Sequence, residues 1–191
     1  MTFWGDSGGY GQDMPVSQLT ITAATYQDES DALADYEAAK ELYAEWNIAE
    51  SYDAAVITKD EDGRVRIVRR HEQPVVHAGG AGLLIGLAVG AVVALFPAVT
   101  LGGGLLAGAV GGALIGAVTG HVVAGMSRTD LKDLGETLDE NTSGLVIVAS
   151  EDVSFRLDGS LSHCARQVVR HLNHDGDRLK KDIRRAMSAA V

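Results

Sequence analysis

The chain has 191 residues, 46% of them hydrophobic and 22% charged, which is enough apolar mass for a buried core and excludes disorder by composition. Acidic residues outnumber basic ones by 26 to 16, a formal charge of -10 that argues against nucleic acid as a partner. The single cysteine, Cys164, excludes an internal disulfide and a cysteine metal cluster and fits a reducing compartment. No basic stretch precedes a short apolar run after Met1, so no cleaved signal peptide is expected.

Residues 1–16 carry Trp4 and Tyr10 among Gly5, Gly8, Gly9 and Gly11, and read as a flexible arm or a docking peptide. From Leu19 to Tyr26 apolar and polar residues alternate, the pattern of a half-buried strand. Residues 28–46 then read as an amphipathic helix, with Leu33, Tyr36, Leu42, Tyr43 and Trp46 on or near one face and acids on the other. Two β-rich runs, 54–58 and 65–68, flank Lys59-Asp60-Glu61-Asp62-Gly63-Arg64, a hairpin with Asp-Gly at its turn.

The middle of the chain breaks with this ordinary pattern. The 55 positions from 73 to 127 contain no Asp, Glu, Lys or Arg, and only His77 and His121 can titrate there. Residues 78–96 and 102–126 are apolar or glycine with few exceptions, separated by the connector 96–101 with Pro97. As helices the limbs would run roughly 27 and 36 Å at about 1.5 Å per residue. A bilayer core asks for about 20 apolar residues, so a helical hairpin with both polar flanks on one side is expected.

Within the limbs Ala78, Gly82, Gly86, Gly90 and Ala94 recur every fourth residue, as do Gly104, Gly108, Gly112, Gly116, Gly120 and Ala124. Such a small-residue stripe lets two helix backbones approach. Folding about position 99 sets Gly82 opposite Gly116, Gly86 opposite Gly112 and Gly90 opposite Gly108, and it levels His77 with His121 at the base. Across an oligomer those histidines would form a ring able to titrate or bind metal; the plainer reading is one interfacial His per limb. A glycine in a water-exposed helix loses about 1 kcal/mol against alanine, so close packing must offset the loss.

After the insertion, Ser127-Arg128-Thr129-Asp130 has the form of a capping box and leads a helix through Leu131, Leu134 and Leu138. Residues 144–149 are uniformly apolar, a buried strand. A further strand is expected over 165–172 and a helix from about Asp175. From Cys164 onward seven Lys or Arg face three Asp, a solvated basic tail or a contact for acidic lipid or a neighbour's acidic helix. The order β-α-β-β-(hairpin)-α-β predicts an α+β, ferredoxin-like split βαβ domain. It would comprise residues 17–72 and 127–150, with the glycine-zipper hairpin 73–126 inserted and 151–191 as an extension.

Chemistry-bearing patterns are weak by comparison. Gly102-Gly103-Gly104-Leu105-Leu106-Ala107 fits the dinucleotide fingerprint, but no strand precedes it and no acid follows at the right distance. His171, His174, Asp175 and Asp177 could approach a divalent metal, yet Asn173 to Gly176 reads as a turn and helix start. His163 beside Cys164 lacks the spacing of a nucleophile and its base. Asp60, Glu61 and Asp62 read as turn chemistry rather than a calcium loop. No catalytic residue, cofactor or metal is expected from these patterns.

Asp53-Ala54-Ala55-Val56 with Lys59-Asp60-Glu61-Asp62-Gly63, the glycine-rich stretch 79–125, and Leu134-Gly135-Glu136-Thr137-Leu138 leading into Ser143-Gly144-Leu145-Val146 resemble a bacterial domain-of-unknown-function family, number 1269, of small predicted membrane proteins. The likeness runs over about 19–187 and implies a membrane or assembly role with no catalytic residues. Two settings satisfy the apolar stretch. One is a non-enzymatic, self-associating protein of the cytoplasmic membrane with a cytosol-facing head, as Arg64, Arg66, Arg69, Arg70, Arg128 and Lys132 around the insertion favour. The other is a cytoplasmic homo-oligomer whose pooled hairpins form an apolar core able to hold lipid or another guest. A ligand-sensing domain is a third reading, by fold analogy alone.

Overall fold

Period-two and uniformly apolar runs become strands here, and the three-to-four spacing of small and aromatic residues becomes helix. The computed structural model describes residues 19–45, 52–70, 87–96, 100–101, 119–120, 122–151, 154, 157 and 159–173. In chain order these form β1 (Leu19–Tyr26), α1 (Glu29–Glu45), β2 (Tyr52–Lys59), β3 (Val65–Arg70), α2 (Leu87–Leu95), β4 (Thr100–Leu101), α3 (Arg128–Asp139), β5 (Ser143–Ser150) and β6 (Arg166–Leu172). The fold is α+β, and the described strands make a six-stranded sheet in the order β4-β3-β2-β5-β1-β6. Its pairings are antiparallel except the short parallel one of β4 with β3.

The strand order differs from the simplest expectation. β5, not β3, lies between the parallel strands β1 and β2, with Ile21 opposite Val148 and Ala55 opposite Val146. The reason is its composition. Leu145, Val146, Ile147, Val148 and Ala149 are all buried, so both faces of β5 need cover, and only a central position supplies it. β3 turns back on the outer edge of β2 through Asp60 to Gly63. Asp60 Oδ1 accepts from the Asp62 and Arg64 amides at 3.0 and 2.8 Å, and Gly63 takes a φ of +75°. Those acids are turn chemistry, as expected. β6 adds to the other edge of β1, so residues 166–172 are part of the sheet.

Each face of the sheet has its own core. On one, α1 lays Ala32, Tyr36, Ala39 and Tyr43 against Ala24, Tyr26, Ala54, Val56 and Ile147, joined by Leu157 and Leu161. The buried stripe of α1 is thus centred on alanines, which let the helix sit close to the strands, while Leu33 and Leu42 stand partly buried at its margins. On the other face, α2 and α3 cover Ile21, Ala23, Ala55, Ile57, Val146 and Val148. β1 was expected to be half-exposed; with both faces covered, all eight of its residues are buried. Two of its threonines make side-chain hydrogen bonds: Thr20 Oγ1 donates to the Ala149 carbonyl at 3.3 Å and shares a hydrogen bond with Ser154, and Thr25 Oγ1 donates to the Ser143 carbonyl at 3.4 Å.

α3 starts as its capping box dictates, the Ser127 hydroxyl accepting from the Asp130 amide at 3.0 Å. It ends where Gly144 lets Leu138 descend onto β5. A Cβ at Gly144 would stand 2.6 Å from Leu138 Cδ2 and 3.1 Å from Ile57 Cγ1. Gly144→Ala should therefore destabilise the fold by about 1–3 kcal/mol through overpacking, read as a lower urea midpoint at unchanged slope. An unaltered midpoint would show that α3 yields at no cost.

Candidate functional site: the docked apolar segment and a buried aspartate–histidine pair

Residues 87–95 of the first apolar limb are helical and lie on the sheet as α2. α2 packs on β2, β5 and α3, and six of its nine residues, Leu87 to Val92, are buried. Burying a side chain the size of Leu or Val is worth about 1.5–3 kcal/mol, but apolar contact alone sets no position. The position comes from Asp53. This β2 side chain is buried, accepts from its neighbour's amide at Ala54 (3.1 Å, Oδ1), and accepts from the Ala88 amide in the first turn of α2 (2.9 Å, Oδ2). A carboxylate at a helix N-terminus meets free N–H groups and the positive end of the helix dipole.

The connector between the limbs is tied as well. Thr100 and Leu101 form β4 and pair parallel with Arg66 and Ile67 of β3. The last two residues of the expected connector are therefore a strand at the edge of the sheet. Downstream, residues 119–120 and 122–125 are helical, and Val122 and Met126 enter the same core as α2. Thr119 Oγ1 donates to the Gly90 carbonyl at 3.4 Å, which ties the start of this helical stretch to α2.

Of the stripe, Gly90 is buried in α2, whereas Gly120 is exposed and a Cβ there would meet nothing within 4 Å. Gly82, Gly86, Gly104, Gly108, Gly112 and Gly116 lie outside the described residues, as do His77 and His121. Gly125, off the stripe, does admit a close neighbour: a Cβ there would stand 2.7 Å from Leu172 Cδ1 and 2.8 Å from the Asn173 carbonyl. No described helix is long and apolar enough to cross a membrane.

The opposite face holds a second buried carboxylate. Asp35 sits on the apolar stripe of α1, wholly buried. It accepts from the His163 amide at 3.1 Å and pairs with His163 Nδ1 at 2.7 Å. That hydrogen bond first, and the Asp35 charge second, raise the imidazole above its ordinary 6.5. Cys164 donates to the Leu161 carbonyl at 3.3 Å; burial, then Asp35, push its thiol pKa up, the reverse of a reactive cysteine. Among the described residues no group meets the buried Tyr26 hydroxyl at good hydrogen-bond geometry, and burial followed by the nearby Asp35 charge raises it above the tyrosine range.

These contacts tie residues 161–164 to α1. Ser162 Oγ lies 3.2 Å from His163 Nδ1, the nitrogen that already faces Asp35, whereas a relay needs acid and nucleophile on opposite ring nitrogens. Among the described residues no group of three His, Cys, Asp or Glu could hold a metal. His171 is exposed on β6, while His174, Asp175 and Asp177 lie outside the described residues. An open cavity of about 510 Å³ between the β2–β3 turn and the α3–β5 corner is lined by Lys59, Asp60, Glu61, Asp139, Glu140 and Thr142. Its cation is engaged: Lys59 Nζ bridges Asp139 Oδ1 at 2.8 Å.

Reading the sequence singled out neither Asp35 nor Asp53 as a site residue. Each had a signal: an acid between Ala32 and Ala39 on a helix stripe, and an acid inside a strand whose neighbours are Tyr52, Ala54, Ala55 and Val56.

Two outcomes follow. Asp53→Ala should strip α2 of its anchor at a cost of about 1.5–3 kcal/mol, the range for hydrogen bonds to a charged group. Hydrogen exchange should quicken at Ala88 to Val92 before it does in β1 and β5; equal protection throughout would remove Asp53 as the anchor. Because the folded His163 pKa is raised, its stabilisation is present below pH 6.5 and is lost as pH rises through the folded value. An NMR titration should place His163 above 6.5 and return it toward 6.5 in Asp35→Asn.

Comparison with known proteins gives one family and little beyond it. No curated protein and no solved structure matches the chain. The model of a family described as a protein of unknown function (DUF1269) matches residues 79–186, which include α2, α3, β5, β6 and His163 but neither Asp35 nor Asp53. The match covers more than half of the chain, which therefore belongs to that family.

Proposed function

We propose that the protein is a non-enzymatic, self-associating module whose apolar insertion docks on its own ferredoxin-like core and joins copies of the chain, rather than crossing a bilayer. The carrying observation is the pairing of Thr100 and Leu101 with β3. In a spanning hairpin that connector lies across the hydrocarbon, about 30 Å from the polar flanks; here it is hydrogen-bonded to a strand of the head. With α2 occupying 87–95 on the sheet, residues 78–86 of the first limb are too few for a crossing that needs about 17 or more.

The ferredoxin-like reading is supported by β2-β5-β1-β6, in which one strand separates the parallel β1 and β2 while α1 and the Leu157–Leu161 side chains share a face. β3, α2, β4 and α3 then form one insertion between β2 and β5 that covers the opposite face. Self-association is supported by the sequence of residues 102–118, which carry no charge, since an apolar run of that length is costly to leave in water. An apolar compartment holding lipid is one form such an assembly could take.

Fractionation without detergent, followed by native mass measurement, tests the reading. The expected result is recovery outside the membrane pellet as a defined multiple of the chain. Quantitative recovery in the pellet, released only by detergent, would restore the membrane hairpin.

A further inference from the structure

We propose that Asp35 and His163 form a pH-operated latch: charged His163 holds residues 162–164 against α1 and keeps Cys164 part-buried, and loss of its proton lets this short segment swing out. The latch is separate from self-association and uses none of the apolar insertion. Burial of the pair is asymmetric. The Asp35 side chain is wholly buried, whereas that of His163 is 50% exposed. An ion pair with both ends in water is screened and holds little. A buried carboxylate that loses its counter-charge is costly, and it relieves the cost by regaining water. Here the ring that titrates faces solvent, and the charge that depends on it does not.

The segment can move without the elements on either side. Upstream it is fixed by Leu161, 6% exposed in the core beneath α1. Downstream the Ala165 amide donates to the Thr25 carbonyl at 2.8 Å. Between these points Ser162 and His163 are exposed. Their links to α1 run from the His163 amide to Asp35 Oδ2 at 3.1 Å and from the ring Nδ1 to Oδ1 at 2.7 Å. Cys164 comes next, packed against the same core, with its thiol turned back on the Leu161 carbonyl.

The groups around the ring set the direction of the switch. The hydrogen bond to Asp35 and then the Asp35 charge favour charged His163; burial opposes them, and Asp31 of α1 adds to them. Tyr26 of β1 and Cys164 of the segment itself face Asp35 as neutral groups, their ionisation pushed upward by burial first and by that carboxylate second. Neither supplies a counter-charge when His163 loses its proton. A neutral ring can still donate Nδ1–H to Asp35, so closure weakens without vanishing. Because the closed state holds the proton more tightly, opening is least favourable below pH 6.5 and grows until pH passes the closed-state value. Each pH unit between the two values multiplies the open population about tenfold.

Cys164, the single cysteine, reports the opening. Its rate of reaction with methyl methanethiosulfonate is measured in native and in urea-unfolded protein at each pH, so that the ratio cancels thiolate formation. The native-to-unfolded ratio should rise as pH increases from below 6.5, by the factor that the closed-state His163 value from an NMR titration sets. Amides of β1 and β5 should keep their protection from hydrogen exchange over the same range. His163→Gln keeps a neutral donor at an exposed position, and its ratio should be flat and near the parent's alkaline value. Asp35→Asn should be flat as well; His163→Gln alone suffices should that buried substitution unfold the chain. A parent ratio that ignores pH overturns the latch. So does a His163→Gln ratio that still follows pH or stays at the parent's acidic level, and so does loss of core protection alongside the labelling.

Discussion

The fold depends on a charged group buried to hold an uncharged segment. Asp53 gives up water inside β2, a costly transfer unless its oxygens are hydrogen-bonded, and the amides of Ala54 and Ala88 meet that need. The Ala88 bond crosses from the head to the apolar insertion. Hydrophobic burial would hold α2 on the sheet in many positions; a carboxylate at the first turn selects one. The pairing of Thr100 and Leu101 with β3 repeats the device after α2, so the helix is pinned at its start and the chain again just beyond its end.

Once pinned, α2 changes what the rest of the sheet has to be. A sheet with one covered face shows alternating polar and apolar strands, whereas one covered on both faces needs central strands apolar throughout. β5 meets this with Leu145 to Ala149, and β1 meets it with small threonines whose hydroxyls find local acceptors. Gly144 belongs to the same logic: with helices on both sides, the layer spacing near α3 leaves no room for a Cβ.

Much of this was legible before the structure. The strands around 19–26, 52–59, 65–70 and 143–150, the long helix α1 and the capped start of α3 follow from patterns only a few residues long. Strand order was not, since local periodicity carries no information about which strand lies beside which; β5 moved to the centre because its two faces are covered by segments distant in sequence. Docking of α2 was obscured for a related reason. Its hydropathy is the same whether the cover is lipid, a second subunit or the head's own sheet, and the deciding residue, Asp53, lies outside the apolar stretch. His163 and Cys164 were visible as neighbours, but Asp35, 128 positions away, supplies their electrostatics.

The glycines make the same point at atomic scale. A period of four places small residues along one side of a helix; whether another element arrives there is a separate fact. At Gly120, on the stripe, a Cβ would have open space, while at Gly125 and Gly144, off the stripe, it would strike a neighbour at 2.6–2.8 Å. Close approach at these two glycines is thus decided by where β6 ends and where α3 meets β5. Glycine is needed at those crossings because a strand carbonyl or a leucine already occupies the Cβ position, and that requirement belongs to the assembled layers rather than to any one helix.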